Sequence, residues 1–274
     1  MEGDDRKSYA APHCTASDPT HAHPNPNPNP NPNPNPRNAR ALELWRTADC
    51  VCLDVDSTVC LEEGIDVLAD VCGVGPQVAS FTATAMDGHM PFHEALRARL
   101  SIMRPSLQRV HDMLRDRSPT LSPLVAELVD RLRARHVPVF LVSGGFRQLI
   151  EPVATELRLL PACRHVFANT LLFNEDGSYR GFDESEPTSR AGGKPEALRR
   201  LACTFGFRRI VMIGDGATDL ETRPDPACLF IGYGGVARRP KVEQGADWFV
   251  TSFRPLIDAL EYDCNDVAVN PPEE

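Results

Sequence analysis

The chain has 274 residues, of which 42% are hydrophobic and 24% charged. That is the profile of a soluble globular protein of one or two domains with room for a large core. No apolar run reaches the ~18 residues of a membrane-spanning helix, and a net charge of −9 excludes recognition of nucleic acid by bulk basic charge. Most of the acidity is terminal: residues 1–36 carry −2 and residues 261–274 carry −5, so the middle is close to neutral and its charge says nothing about a substrate. The nine cysteines are odd in number and scattered. Cys50, Cys52 and Cys60 fall in or beside an apolar run and read as small hydrophobes, and Cys-x-Cys is too short a spacing for a zinc knuckle. The first residues, Met-Glu-Gly-Asp-Asp-Arg-Lys, offer no apolar export stretch and are too acidic for a transit peptide, so a reducing, cytoplasmic location is expected.

Residues 24–36 alternate seven prolines with six asparagines. Proline fixes φ and removes a donor, so this tract reads as a semi-extended spacer within a disordered extension over 1–37. A docking role for it is the weaker alternative. A helix is expected over 39–47, followed by an apolar run over 50–55. Residues 65–116 read as several helices without a strand, an all-α insertion after the first strand. Further apolar runs at 137–142, 166–168, 210–213 and 229–231 alternate with amphipathic helices at 123–135, 146–157, 194–205 and 255–260. A hairpin is expected near 171–182, with Glu175-Asp176-Gly177 at its turn. Strands alternating with helices predict an α/β fold, a doubly wound and mainly parallel sheet. The predicted organisation is a catalytic core over 38–64 and 117–262, a small helical cap over 65–116 and an acidic tail over 263–274. In such sheets ligands bind outside the carboxyl ends of the strands, beneath the expected cap.

Those ends carry the chemistry. The first run closes on Asp54-Val55-Asp56-Ser57-Thr58, two carboxylates at i, i+2 where the chain begins to turn. The run at 210–213 closes on Gly214-Asp215-Gly216-Ala217-Thr218-Asp219, with two more acids at i, i+4. The run at 137–142 closes on Ser143-Gly144-Gly145, a hydroxyl and adjacent amides ahead of a helix, a geometry that holds phosphate. Lys194 opens a helix after Gly192-Gly193. Each segment alone is more often a turn, a cap or a solvated charge. It is their combination, in this order, that is informative.

That combination resembles the haloacid dehalogenase superfamily of phosphotransferases, and over about residues 40–261 the chain is similar to its phosphoserine phosphatase family. Glu62-Glu63-Gly64-Ile65-Asp66, Ala85-Met86-Asp87-Gly88 through Phe92, Arg99, Phe140–Phe146, Gly181-Phe182-Asp183 and Met212–Asp219 carry the likeness. Thr218 stands where many bacterial members have Asn. The resemblance implies hydrolysis of O-phospho-L-serine, the last step of the phosphorylated route to serine. It implies Asp54 as a nucleophile that becomes an aspartyl phosphate, and Asp56 as general acid and then base. Mg2+ would be held by Asp54, the Asp56 carbonyl and Asp215, with Asp219 behind. Ser143, Gly144, Gly145, Lys194 and Thr218 would bind the phosphoryl group. Glu63 would meet the substrate ammonium, Arg99 its carboxylate, and Met86, Gly88 and Phe92 would wall the pocket. The resemblance implies a small-molecule substrate with no nucleic-acid or membrane partner, and a homodimer is compatible with it. Another small phosphomonoester, a dehalogenation and a non-catalytic phosphate-binding scaffold are the alternatives.

Overall fold

A computed structural model describes residues 36–86 and 90–261. Helix α1 (Pro36–Arg46) leads into β1 (Cys50–Leu53), and helices α2 (Gly64–Val71), α3 (Gly75–Met86), α4 (Phe92–Met103) and α5 (Leu107–Asp116) follow. The chain then forms α6 (Val125–Ala134), β2 (Val139–Phe146), α7 (Arg147–Glu156), α8 (Ala162–His165) and β3 (Val166–Asn169). A hairpin of β4 (Leu171–Phe173) and β5 (Tyr179–Phe182) precedes α9 (Gly193–Phe205), β6 (Ile210–Gly214) and α10 (Ala217–Leu220). The last elements are β7 (Ala227–Tyr233), α11 (Pro240–Gly245), β8 (Trp248–Val250) and α12 (Arg254–Glu261).

One six-stranded parallel sheet runs in the order β3-β2-β1-β6-β7-β8. The direction of winding reverses between β1 and β6, which opens a crevice at their carboxyl ends. Alternate side chains feed separate cores. Val51, Leu53, Leu141, Val211 and Ile213 join Trp45, Leu128, Leu132 and Ile257 from α1, α6 and α12 on one face. Cys50, Cys52, Phe140, Val142 and Met212 pack with Leu198 and Leu201 of α9 on the other. A sheet buried on both faces needs continuous apolar strands, which is why these runs stand out in the sequence. Trp45 anchors α1 through burial and by donating from Nε1 to the Leu256 carbonyl at 3.0 Å. Its truncation to alanine should cost about 3–5 kcal/mol.

A third core unites α2 to α5 with the hairpin and the start of α7: Leu68, Leu96, Leu100 and Met113 pack with Phe146, Leu149, Leu171 and Phe182. The hairpin turn, with Gly177 at φ 78°, accepts a hydrogen bond from the Leu107 amide at 2.9 Å and so ties β4-β5 to α5. The helical group therefore rests on the same sheet edge as the crevice.

Several expectations shift. Helix α1 begins at Pro36, so the extension expected over 1–37 ends inside a helix; proline suits a first turn, where its missing N–H would have no intrahelical partner. The rest of the Asn-Pro tract and the acidic tail lie outside the described residues. The apolar run expected over 137–142 continues as strand β2 through Ser143-Gly144-Gly145 to Phe146, which pairs with Asn169 across a register shift. Strand β8 was not expected, because three residues at a sheet edge carry no readable period. Among the described residues no helix is long and apolar enough to cross a membrane.

Candidate active site

The site begins where β1 ends. The Asp54 amide donates to the Ile213 carbonyl at 2.9 Å, which fixes it between β1 and β6. Asp54 and Asp56 are both extended (φ −65°, ψ 159° and φ −63°, ψ 133°), so their side chains share one side of the chain. Ser57 then takes a left-handed conformation (φ 54°, ψ 10°) and turns the chain back, with the Cys60 amide closing on the Val55 carbonyl at 2.8 Å. A buried serine at positive φ is strained backbone, held by its surroundings at a functional turn. Its hydroxyl donates to Glu63 Oε1 at 2.7 Å, and the Gly64 amide donates to Asp56 Oδ1 at 2.7 Å. One short turn thus sets three acids.

Asp54 Oδ1 accepts from the Val55 amide at 2.7 Å and from Lys194 Nζ at 2.8 Å. Lys194 also donates to Asp219 Oδ1 at 2.6 Å, while Asp219 Oδ2 accepts from the Gly216 amide at 2.9 Å. The Asp219 carboxyl packs where a Cβ on Gly214 would lie, so only glycine fits at that strand end. Burial by itself would lower the Lys194 pKa, but the carboxylates of Asp219 and Asp54 outweigh it and hold the ammonium protonated. Asp215 accepts from Thr58 Oγ1 at 3.2 Å and from Arg239 Nε at 2.9 Å. Carboxylate oxygens of Asp54, Asp215 and Asp219 lie within 4.8 Å of one another. This all-oxygen donor set is capable of binding a hard divalent cation.

Opposite stands the end of β2. The Ser143 hydroxyl accepts from the Gly145 amide at 2.9 Å and lies 3.5 Å from Asp56 Oδ2. A Cβ on Gly145 would sit 3.0 Å from that same oxygen, so glycine permits the approach. Asn169, fully buried, donates to the Gly144 carbonyl at 2.7 Å and accepts from Thr188 Oγ1 at 3.0 Å. Burial and the neighbouring Asp54 charge push the Asp56 carboxyl up to about 7. Burial likewise raises Glu63, against the hydrogen bond from Ser57.

A cavity of ≈ 350 Å³ gathers most of the residues expected at the site: Asp54, Asp56, Glu63, Phe92, Arg99, Gly144, Gly145, Lys194, Asp215 and Thr218. Ser143 and Asp219 stand behind its wall, buried and bonded as described. Met86 closes α3, but its side chain and all of Gly88 lie outside what the structure describes. Arg99 reaches the cavity from α4, its Nε donating to the Ala95 carbonyl at 3.3 Å. Burial lowers the Arg99 pKa while Asp66 and Glu63 oppose that shift. Sequence reasoning quoted Thr58 within its motif without giving it a role, and missed Asn169, Thr188, Arg190 and Arg239. Asn169 had a signal, a polar residue closing an apolar run. Arg190, just ahead of Gly192-Gly193-Lys194, and Arg239, in the loop before α11, had none.

Carboxylates, a buried lysine and a glycine-rich strand end at the switch point of a parallel sheet define the class of α/β phosphohydrolase-type sites. The model of the haloacid dehalogenase-like hydrolases matches residues 48–222. The chloroplastic phosphoserine phosphatase of Arabidopsis thaliana is 52% identical over 221 residues, 80% of this chain and 74% of that one. The phosphoserine phosphatase of Homo sapiens is 48% identical over 219 residues, 80% and 96% of the two chains. A solved structure described as a phospho-aspartyl intermediate analogue of phosphoserine phosphatase superposes with a TM-score of 0.65 at 26% identity, covering 77% of this chain and 98% of that one. The chain belongs to the haloacid dehalogenase-like hydrolases and, within them, to the phosphoserine phosphatase family.

Proposed function

We propose that this chain hydrolyses O-phospho-L-serine to L-serine and phosphate with Mg2+ as cofactor, Asp54 as nucleophile, and Asp56 as general acid and then base. The observation that carries the reading is the contrast between two carboxyls two residues apart. Asp54 is paired with Lys194, whereas Asp56 is held near pH 7 by burial and by Asp54 itself. A carboxyl that burial raises toward neutral pH is suited to give and then take a proton, which fits Asp56 as acid and then base, while the Lys194 contact orients Asp54 as nucleophile. Asp54 Oδ1 takes both hydrogen bonds described for that carboxylate, which leaves Oδ2 to attack phosphorus. Protonated Asp56 gives its proton to the departing serine oxygen and then accepts one from the water that cleaves the aspartyl phosphate.

Lys194, the Ser143 hydroxyl and the amides of Gly144 and Gly145 would meet the phosphoryl oxygens as charge shifts, with Thr218 at the wall. Asp54, the Asp56 carbonyl and Asp215 would hold Mg2+, and Asp219 would brace them through Lys194. Bound there, the ion would offset negative charge on the phosphoryl group. Glu63 and Arg99 line the same cavity and carry the charges that complement an ammonium and a carboxylate. A guanidinium binds a carboxylate through two parallel hydrogen bonds, so Arg99 would select amino-acid phosphates.

The test is phosphate release from O-phospho-L-serine with and without Mg2+, with Asp54→Asn beside the wild type. Turnover should require the metal. A phosphate label that survives acid quenching should form on the wild type and be absent from Asp54→Asn. Wild-type-like labelling of that variant would refute the nucleophile.

A further inference from the structure

We propose that Arg239 is a tethered counter-cation that competes with the divalent ion for Asp215. The inference rests on the reading of Asp215 as a metal ligand. Asp215 is almost wholly buried and stands among other acids, with Asp54 and Glu63 close by. An unpaired charge there would be costly. Lys194 is committed to Asp54 and Asp219, at 2.8 and 2.6 Å. The cation on Asp215 is Arg239, whose Nε donates to Oδ2 at 2.9 Å while Nη2 stands 4.0 Å from Glu63 Oε1.

The two cations differ in how they are held. The Lys194 side chain is 7% exposed and wedged between carboxylates, whereas that of Arg239 is 45% exposed and projects from the residue capping the short helix α11. Arg239 can therefore swing toward solvent without breaking a core contact. A divalent ion on Asp215 would bring two positive charges to the carboxylate that Arg239 already neutralises, and like charges at hydrogen-bonding range repel. Binding is then an exchange, in which the guanidinium leaves Asp215 as the ion arrives. Arg239 weakens metal affinity and stabilises the metal-free protein. No motif signals this residue, because its role exists only where the loop before α11 meets the end of β6.

The experiment is calorimetric titration of the full chain with MgCl2, together with melting temperatures in chelator, for the wild type, Arg239→Gln, Arg239→Lys and Arg238→Gln. Arg239→Gln should bind Mg2+ about tenfold more tightly, equivalent to about 1.4 kcal/mol, and melt lower in chelator. Arg239→Lys keeps a charge but loses the planar donor, and should fall between Arg239→Gln and the wild type. Arg238 pairs with Glu243 instead, so Arg238→Gln should stay within about twofold of the wild type. Unchanged or weaker Mg2+ binding by Arg239→Gln would overturn the proposal. Equal tightening by Arg238→Gln would also overturn it, by reducing the effect to general charge. A wild type that turns over phosphoserine yet binds no Mg2+ would instead bring down the metal assignment, and this inference with it.

Discussion

Replacing Lys194 with methionine removes the one cation shared by Asp54 and Asp219 while nearly preserving side-chain length. Lys194 is 7% exposed and Asp219 not at all, so water can hardly replace the lost ammonium. Breaking a buried ion pair by deleting one partner costs about 3–5 kcal/mol. For a domain of this size each kcal/mol moves the melting temperature by about 2–4 °C, so the variant should melt about 6–20 °C lower at pH 7.5. The pH dependence gives a sharper test. In the variant, a bare buried carboxylate has a folded-state pKa raised above its unfolded value of about 3.9. The folded state then binds the proton more tightly, so the penalty is full above the folded pKa and shrinks as pH falls toward the unfolded one. In the wild type, Lys194 itself is raised, so its own titration, with an unfolded pKa of about 10.4, takes nothing from its stabilisation between pH 5 and 8. Burial and Asp54 already raise the Asp219 carboxyl there, and losing Lys194, which opposes that rise, raises it further. Thermal melts of both proteins at pH 5 and pH 7.5 should therefore converge in acid. An equal gap at both pH values, or none at pH 7.5, would refute the argument.

Asp56 near 7 implies that kcat/KM declines as pH rises through that value, because the protonated acid is lost. Asp56→Asn should abolish this limb and lower the rate by about 10²–10⁴; a variant that keeps the limb would clear Asp56 of the role. Arg99→Ala should reduce kcat/KM for phosphoserine by roughly 30- to 1,000-fold while hardly touching phosphoethanolamine, which lacks a carboxylate. Equal losses on both substrates would make Arg99 a structural residue of α4. Asn169→Ala would strip the Gly144 carbonyl and the Thr188 hydroxyl of their partner, at a cost of about 1–3 kcal/mol. It should lower both the melting temperature and kcat, and unchanged values in melts and steady-state assays would show that the strand end holds its shape alone.

The strands and their order of appearance were legible because a parallel sheet covered on both faces demands uninterrupted apolar runs such as Cys50–Leu53 and Ile210–Gly214. The polar residues closing those runs were equally legible, since an Asp or a Ser-Gly-Gly after a buried strand marks the edge where ligands bind. The sequence could not order the strands across the sheet, reveal β8 at its edge, or extend β2 through Ser143-Gly144-Gly145, because pairing partners rather than local pattern decide these. The general-acid role that the resemblance implies asks for a protonated Asp56, but local sequence does not show what would keep it so. Asp54 and Asp56 look alike as letters, and only packing pairs one with Lys194 and leaves the other desolvated near pH 7. Asn169 holding Gly144, and Arg239 holding Asp215, join segments 25 and 24 residues apart, whose contact exists only once the sheet has assembled. Residue type and local period fix what each segment can form and which groups its ends present. Long-range packing sets the distances and the dielectric, and these decide which of those groups carry charge and which carry protons.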